Sequence, residues 1–396
     1  MRVSSRHLRA SKHTTTMSYA FVVEKAERPV IDLTIGQPDV KPPSVLVELL
    51  ASEARGADAS RYPPPQGLGE LREAIASLLS EAYGVDAAPE NIVVLVGAKP
   101  GIAGAVYALC DPGDAVLILS PHFYAYEIAS EVLGAKTIVV KMRWERGVLE
   151  ADEEEVKRVF ERHRPCLTII NTPHNPTGLH ASPSLLDLVA DLAVEKGSAI
   201  LSDEVYAWLV YRGSHEPLVA KYGTELVVHL ESFSKTLAIP GWRVGFVYAE
   251  AEVVRALTFF NANIYTGVPR FIQRAVARYI TDYREDMLAF VERMRRIYSK
   301  RASALLEALA PLQGLVDAYM PAAGFFLFPS VRGLEEKLGV RDSEELAGIL
   351  ASKAGVLTVP GRVFGDWPHH IRVSLTAPES KLREAASRIA ELAARA

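Results

Sequence analysis

The chain has 396 residues, 49% of them hydrophobic and 23% charged, which is enough for a large core and two domains and excludes general disorder. A formal net charge of -4 excludes a global basic field, so nucleic acid is not expected as a main partner. The two cysteines, Cys110 and Cys166, form no close pair in the sequence, which argues against a disulfide framework or a cysteine-rich metal site and for a reducing cytoplasm.

The opening MRVSSRHLRASKHTTTM is basic, hydroxyl-rich and free of acids, and reads as an N-terminal arm, although an organellar transit peptide shares that composition. No apolar run reaches the ~20 residues that span a bilayer, so no membrane is expected. Beyond the arm, short Val/Ile/Leu-rich runs alternate with longer amphipathic segments, the order of an α/β protein with a mostly parallel sheet. Strands are predicted at 92–96, 115–119, 137–140, 167–170, 199–201, 226–230 and 244–248, covered by helices at 71–83, 100–109, 124–133, 153–162 and 184–196. Residues 271–309 read as long, charged, solvated helical sequence. Strands at 323–329, 355–359 and 371–375 and a terminal helix from Ser380 then predict a second, smaller α/β domain. The expected division is 1–40 as arm and part of the small domain, 41–282 as the large domain and 283–396 as the small one. Asparagine occurs at only five positions and glutamine at four, a scarcity of heat-labile amides that points to a hot habitat.

Three predicted strands run straight into polar residues: Asn171-Thr172-Pro173-His174-Asn175-Pro176-Thr177-Gly178, Ser202-Asp203-Glu204, and Glu231-Ser232. Ligands bind outside the carboxyl ends of strands in open parallel sheets, so these segments are expected to converge on one crevice. Ser232-Phe233-Ser234-Lys235 sets a lysine among hydroxyls, with Arg243 about two helical turns on. An amine attacks an aldehyde only when unprotonated, so a lysine of ordinary pKa ~10.4 needs desolvation or cationic neighbours to react near neutrality. Ser232, Ser234 and Arg243 offer donors suited to a phosphate, and pyridoxal 5'-phosphate carries both an aldehyde and a phosphate. The competing reading is a helix start capped by Ser234 with a solvated lysine. Gly97-Ala98-Lys99 follows a strand and precedes a helix with Pro100 near its first turn, where free backbone amides also suit a phosphate.

Taken in chain order, Gly36-Gln37-Pro38-Asp39, the stretch RYPPPQGLGELR ending at Arg72, Gly97-Ala98-Lys99, the Asn171–Gly178 run, Ser202-Asp203-Glu204-Val205-Tyr206, Ser232–Lys235 with Gly241-Trp242-Arg243, and His370-Ile371-Arg372-Val373-Ser374 carry a specific resemblance. The chain resembles a class I/II pyridoxal-phosphate aminotransferase of the aspartate aminotransferase family, fold type I. The resemblance implies a large domain with a mostly parallel seven-stranded sheet, a smaller α/β domain, and pyridoxal 5'-phosphate as cofactor. It makes Lys235 the lysine that condenses with the cofactor aldehyde and moves a proton between substrate Cα and cofactor C4'. Asp203 would face the pyridine nitrogen and keep it protonated, and Tyr206 and Asn175 would donate to the phenolic oxygen. Gly97, Ala98, Lys99, Ser232, Ser234 and Arg243 would hold the phosphate, and Phe123 would stack on the ring. Tyr62 would reach the phosphate of a neighbouring subunit, which implies a homodimer with shared sites. Arg372 would clamp the substrate α-carboxylate, with Asn175 beside it and the Gly36 backbone close to the substrate. Taken singly, Asp203 also fits a helix cap, Asn175 a turn, Phe123 the core and Arg372 a strand end. His122, His174, His369 and His370 lack metal-ligand spacing, so no metal is expected.

The implied reaction is a ping-pong transfer of an amino group from an L-amino acid to 2-oxoglutarate. Lys99 is a candidate cation for a side-chain carboxylate, which makes aspartate the expected donor. Pro100, His122 and the Ala238-Ile239-Pro240-Gly241-Trp242 variant depart from the family pattern and leave alanine, aromatic and 2-aminoadipate donors open. A carbon-sulfur β-lyase would use the same fold and lysine. A pyridoxal-phosphate-binding transcription regulator would need a DNA-binding module that the short arm cannot supply.

Overall fold

A computed structural model describes residues 26–145 and 147–396, so most of the expected arm lies outside the described residues. Among the described residues, a nine-stranded sheet is built from β2 (Ile92–Leu95), β3 (Ala115–Ser120), β4 (Lys136–Glu145), β5 (Val148–Ala151), β6 (Leu167–Asn171), β7 (His180–Ala181), β8 (Ala199–Asp203), β9 (Val227–Ser232) and β10 (Gly245–Tyr248). Their order is β2-β10-β9-β8-β6-β3-β4-β5-β7. All seven strands expected between residues 92 and 248 are present. The run from β9 to β4 is parallel, while β10 lies antiparallel to both neighbours. The two short additions, β5 and β7, extend one edge: β5 folds back antiparallel on β4, and β7 joins it. Strands such as β3 and β6 are buried along their whole length because helices cover both faces, which is why they read as unbroken apolar runs rather than alternations.

The covering helices are α1 (Ser44–Glu53), α2 (Gly69–Tyr83), α3 (Ala98–Leu109), α4 (Ala125–Leu133), α5 (Glu153–His163), α6 (Pro183–Lys196), α7 (Leu218–Tyr222), α8 (Phe233–Thr236), α9 (Ala251–Ile264) and α10 (Arg270–Asp282). Local chemistry sets their ends. Ser182 accepts from the Leu185 amide to cap α6, Pro183 takes its first position, and Gly197 ends it in the left-handed region. The expected 271–309 helix is two helices, α10 and the 26-residue α11 (Arg284–Leu309), with a break at Tyr283.

A second core gathers Leu33, Met294, Tyr298, Phe325, Leu346, Val373 and Leu382. It is framed by α11, α12 (Arg332–Leu338), α13 (Ser343–Ile349) and α14 (Glu379–Arg395). A three-stranded antiparallel sheet of β11 (Phe326–Leu327), β14 (Ile371–Ser374) and β13 (Val359–Pro360) lies within it, beside a parallel pair of β1 (Ile31–Asp32) and β12 (Val356–Leu357). Val205, Tyr206 and Leu209, which follow β8, belong to this same core, so the tip of the large sheet is packed directly against it.

One expectation is overturned. Cys110 and Cys166 form a disulfide, with Cα atoms 5.8 Å apart across a sequence separation of 56. Cys110 ends α3 just before β3, and the Cys166 amide donates to the Ala115 carbonyl at the start of β3. Pairing of β3 with β6 therefore brings together two cysteines that spacing alone keeps apart. The cysteine argument for a reducing compartment falls with it.

Candidate active site

The parallel strands end on one edge of the sheet, and their following residues line a cavity of about 480 Å³. Asn171 ends β6, Asp203 ends β8 and Ser232 ends β9, with Asn171 and Asp203 in register across the β6–β8 ladder. Because β10 is antiparallel, its start lies at the same edge, and Arg243 two residues before it joins the cavity. Gly36, Ala98, Lys99, Phe123, Asn175, Tyr206, Ser234, Lys235 and, from the second sheet, Arg372 line the same space. Of the expected residues, Tyr62 and Gly97 stand apart from the lining. Tyr62 is 85% exposed, while Gly97 lies buried behind Arg243.

Lys235 sits on the one-turn helix α8, capped by Ser232 rather than by Ser234: the Ser232 hydroxyl accepts from the Ser234 amide. The Ser232 hydroxyl also lies 3.0 Å from the Val244 carbonyl and 2.9 Å from Ser234 Oγ, with one proton to share between them. Lys235 Nζ donates to the Gly36 carbonyl at 2.6 Å. Burial, followed by the nearby Arg372 and Arg243 guanidiniums, lowers the lysine to about 8. This is the shift a reactive amine requires. The unprotonated fraction rises with pH through that value, so the rate at which apoenzyme captures pyridoxal phosphate should climb between pH 6 and about 8 and then level off. Stopped-flow absorbance checks this, and a flat profile would contradict it.

The chain does not run helically from Lys235 to Arg243. Ala238 (φ 54) and Arg243 (φ 59) adopt left-handed backbone that turns it back, so Arg243 donates to the Val96 carbonyl at 3.1 Å and to Pro240 at 3.0 Å. Gly97 has φ 78, and a Cβ there would collide with the Arg243 guanidinium. The glycine thus lets arginine and the amino end of α3 share one cradle.

Asp203 is 3% exposed. Burial raises its pKa to about 6, opposed by the Tyr126 hydroxyl, which donates to Oδ2 at 2.8 Å. Tyr126 escaped the sequence reading. The signal was a second hydroxyl-bearing aromatic three residues after Phe123 at a helix start, but its partner lies 77 residues away. Asn171, read only as part of a turn, donates to the Asp203 and Pro173 carbonyls and accepts from the Asn175 amide. His174 holds the same turn through Thr177 and the Pro121 carbonyl, and burial keeps it neutral by lowering it to about 3.

Arg372 is 2% exposed and remains a cation, although burial lowers it to about 10. It donates to Asn175 Oδ1 at 3.3 Å and to the Thr34 carbonyl at 2.8 Å, while its buried Nε has no partner. Its guanidinium lies 4.3 Å from the Phe326 ring centre and 5.1 Å from Phe364. Tyr206 packs edge-on against Phe325 and Phe326. Lys99 Nζ lies 3.3 Å from the Tyr124 hydroxyl and over the Phe123 and Tyr124 rings.

Lys99, Lys235, Arg243 and Arg372 thus face a cavity whose lining contains one carboxylate, Asp203. Among the described residues none of these cations has a carboxylate partner within ion-pair distance. The donor set fits a polyanion with an aldehyde within reach of Lys235 and a protonated ring nitrogen toward Asp203. Pyridoxal phosphate with a bound amino acid has those features.

The family profile described as aminotransferase class I and II matches residues 28–389. Aspartate aminotransferase of Pyrococcus horikoshii is 32% identical over 362 residues, covering 91% of this chain and 90% of that protein. Aromatic-amino-acid aminotransferase 2 of Thermococcus litoralis is 34% identical over 366 residues, covering 91% and 90%. The solved structure of Thermus thermophilus aspartate aminotransferase with maleate superposes with a TM-score of 0.90 at 31% identity, covering 99% of this chain and 100% of that one. On the strength of a profile that spans nearly the whole sequence and a site built for its cofactor, the chain belongs to the class I and II aminotransferases, pyridoxal-phosphate-dependent enzymes.

Proposed function

We propose that the enzyme transfers the amino group of a dicarboxylic L-amino acid, best represented by aspartate, to 2-oxoglutarate, releasing the 2-oxo acid and glutamate in two half-reactions. The observation that carries this reading is Lys99, a cavity cation left without a carboxylate partner among the described residues once Arg243 is assigned to a phosphate and Arg372 to an α-carboxylate. When bound, pyridoxal phosphate supplies an aldehyde for the amino group and a ring that draws electrons from the substrate α-carbon. Arg243, the Ser234 hydroxyl and the amides at the start of α3 hold its phosphate, with Ser232 orienting α8. Asp203 holds a proton on the ring nitrogen, Tyr126 steadies Asp203, and Asn175 and Tyr206 donate to the phenolic oxygen. Phe123 lies against the ring. Arg372 orients the substrate by its α-carboxylate, using the unpartnered Nε. Lys235 would move a proton between the substrate Cα and the cofactor's C4'.

Replacing Lys99 with alanine should raise KM for aspartate by about 10- to 100-fold and leave that for alanine within twofold, because only the former places a second carboxylate there. Steady-state kinetics on both donors test this, and equal losses would sink the dicarboxylate reading. A second reading has its own support: the Phe123, Tyr124 and Phe326 rings line the cavity, and the Thermococcus litoralis relative is named for aromatic amino acids. Phenylalanine or tyrosine turning over faster than aspartate would favour it.

A homodimer with Tyr62 completing the partner's phosphate site is part of the same proposal, supported by the exposure of Tyr62, Phe259 and Ile264. Light scattering should give twice the 43.3 kDa chain mass, and an active monomer would contradict it. Cytoplasmic placement in a hot habitat accords with the organisms of the relatives, and with the disulfide, since intracellular proteins of hyperthermophiles carry such bonds.

A further inference from the structure

Behind Asp203, on the opposite face of the sheet, lies a buried ionic cluster that the reaction as described does not use. Side chains alternate faces along a strand, so Ser202 and Glu204 point away from Asp203, toward His229 and Glu231 on the neighbouring β9. Ser202 is in register with His229. His229 and Glu204 are fully buried, and Glu231 is 3% exposed. His229 Nδ1 lies 3.3 Å from Glu204 Oε1, and Nε2 lies 2.9 Å from Glu231 Oε1. Both carboxylates have further partners. Glu204 accepts from Ser202 at 2.6 Å and the Leu218 amide at 2.9 Å, and Oε2 lies 2.6 Å from His215 Nε2. Glu231 accepts from Tyr83 at 2.6 Å and Trp208 at 2.9 Å.

We propose that His229, bridging Glu204 and Glu231, is a positioning residue for the catalytic carboxylate: it ties the tips of β8 and β9 together and offsets the Glu204 charge, so that Asp203 stays ionised. Each acid is the chain neighbour of a site residue, Glu204 of Asp203 and Glu231 of Ser232, which caps the helix of Lys235. The cluster therefore acts on both arms of the site at once. Two carboxylates buried side by side are tolerable only with a cation between them. Burial alone would strip the His229 proton, but Glu204 and Glu231 outweigh it and lift the imidazole to about 10, so the bridge is charged throughout the neutral range. Glu204 in turn raises the proton affinity of Asp203. Without the imidazolium, His215 is left as the imidazole partner of Glu204 and that effect is less opposed. The other groups facing His229 are Tyr83 and His215, with Arg295 reaching the cluster through the Trp208 carbonyl. Those facing Asp203 are Tyr126, Tyr206 and Lys235.

The inference rests on Asp203 facing the ring nitrogen, and the test separates the two claims. Apoenzyme is titrated with pyridoxal phosphate from pH 4.5 to 8, and the pH at which affinity falls on acidification is read for the parent, His229→Gln, Glu204→Gln and Asp203→Asn. His229→Gln should move that midpoint up by about one unit and cost roughly tenfold in affinity at pH 6.5, with KM for the amino donor within twofold. Glu204→Gln, which removes the charge that His229 offsets, should move it down. A merely structural role shifts both variants the same way, or lowers the melting temperature of both while leaving the midpoint in place, and either result overturns the proposal. If His229→Gln does not fold, the direction of the Glu204→Gln shift decides alone. Asp203→Asn should leave only the limb set by Lys235; if its midpoint there is unchanged from the parent, it is the placement of Asp203 that fails.

Discussion

Lys235→Ala is expected to reduce turnover by about 10⁴-fold or more, because the substitution removes the covalent anchor and the proton carrier together. Lys235 Nζ is the amine that opens onto the cavity within hydrogen-bonding distance of the Gly36 carbonyl, with its pKa depressed by burial and then by Arg372 and Arg243. The phosphate cradle proposed for Arg243, Ser234 and the α3 amides is untouched by the change, so the variant should still bind pyridoxal phosphate. Borohydride should no longer fix it to the protein. Normal turnover, or continued borohydride fixation, would show that another residue holds the role.

Asp203→Ala should cost roughly 10²- to 10³-fold in turnover and weaken cofactor binding, whereas Asp203→Glu should keep a measurable part of both. The reason is electrostatic. Among the described residues Asp203 is the one carboxylate in a cavity lined by four cations, it is nine-tenths or more buried, and burial already raises it to about 6, so it needs a proton-bearing partner to stay ionised. Removing it leaves the ring nitrogen without its counter-charge and Tyr126 without its acceptor. Single-turnover kinetics with apoenzyme reconstituted at saturating cofactor separate the two effects. An unchanged rate would exclude Asp203 from the chemistry.

The parts of this site carried by contiguous sequence were the legible ones. Strand-to-turn junctions at Asn171, Asp203 and Ser232 are local signals, and a parallel sheet delivers them to one edge. Three features were not legible, each for the same physical reason. Tyr126 meets Asp203, His229 meets Glu204, and Cys110 meets Cys166 only because the sheet brings segments distant in sequence side by side, and nothing in the spacing of a pair separated by 77, 25 or 56 residues marks it. The path of the chain from Lys235 to Arg243 was hidden for another reason. Two non-glycine residues in left-handed backbone, Ala238 and Arg243, turn it back, and tertiary contacts hold them there against their local preference. Likewise the strand expected at 323–329 shortens to Phe326–Leu327, since Gly324 (φ 66) turns the chain at the Tyr206 ring.

The reading of the whole site as one that exchanges an amino group between two acids is tested most directly by incubating holoenzyme with 2-oxoglutarate and a panel of L-amino acids, and measuring glutamate and the donor-derived 2-oxo acid together. The account predicts equimolar formation of the two products, fastest with aspartate, and no 2-oxo acid when 2-oxoglutarate is withheld beyond one equivalent per site. Absence of glutamate with every donor, or continuous 2-oxo acid release without an acceptor, would contradict it.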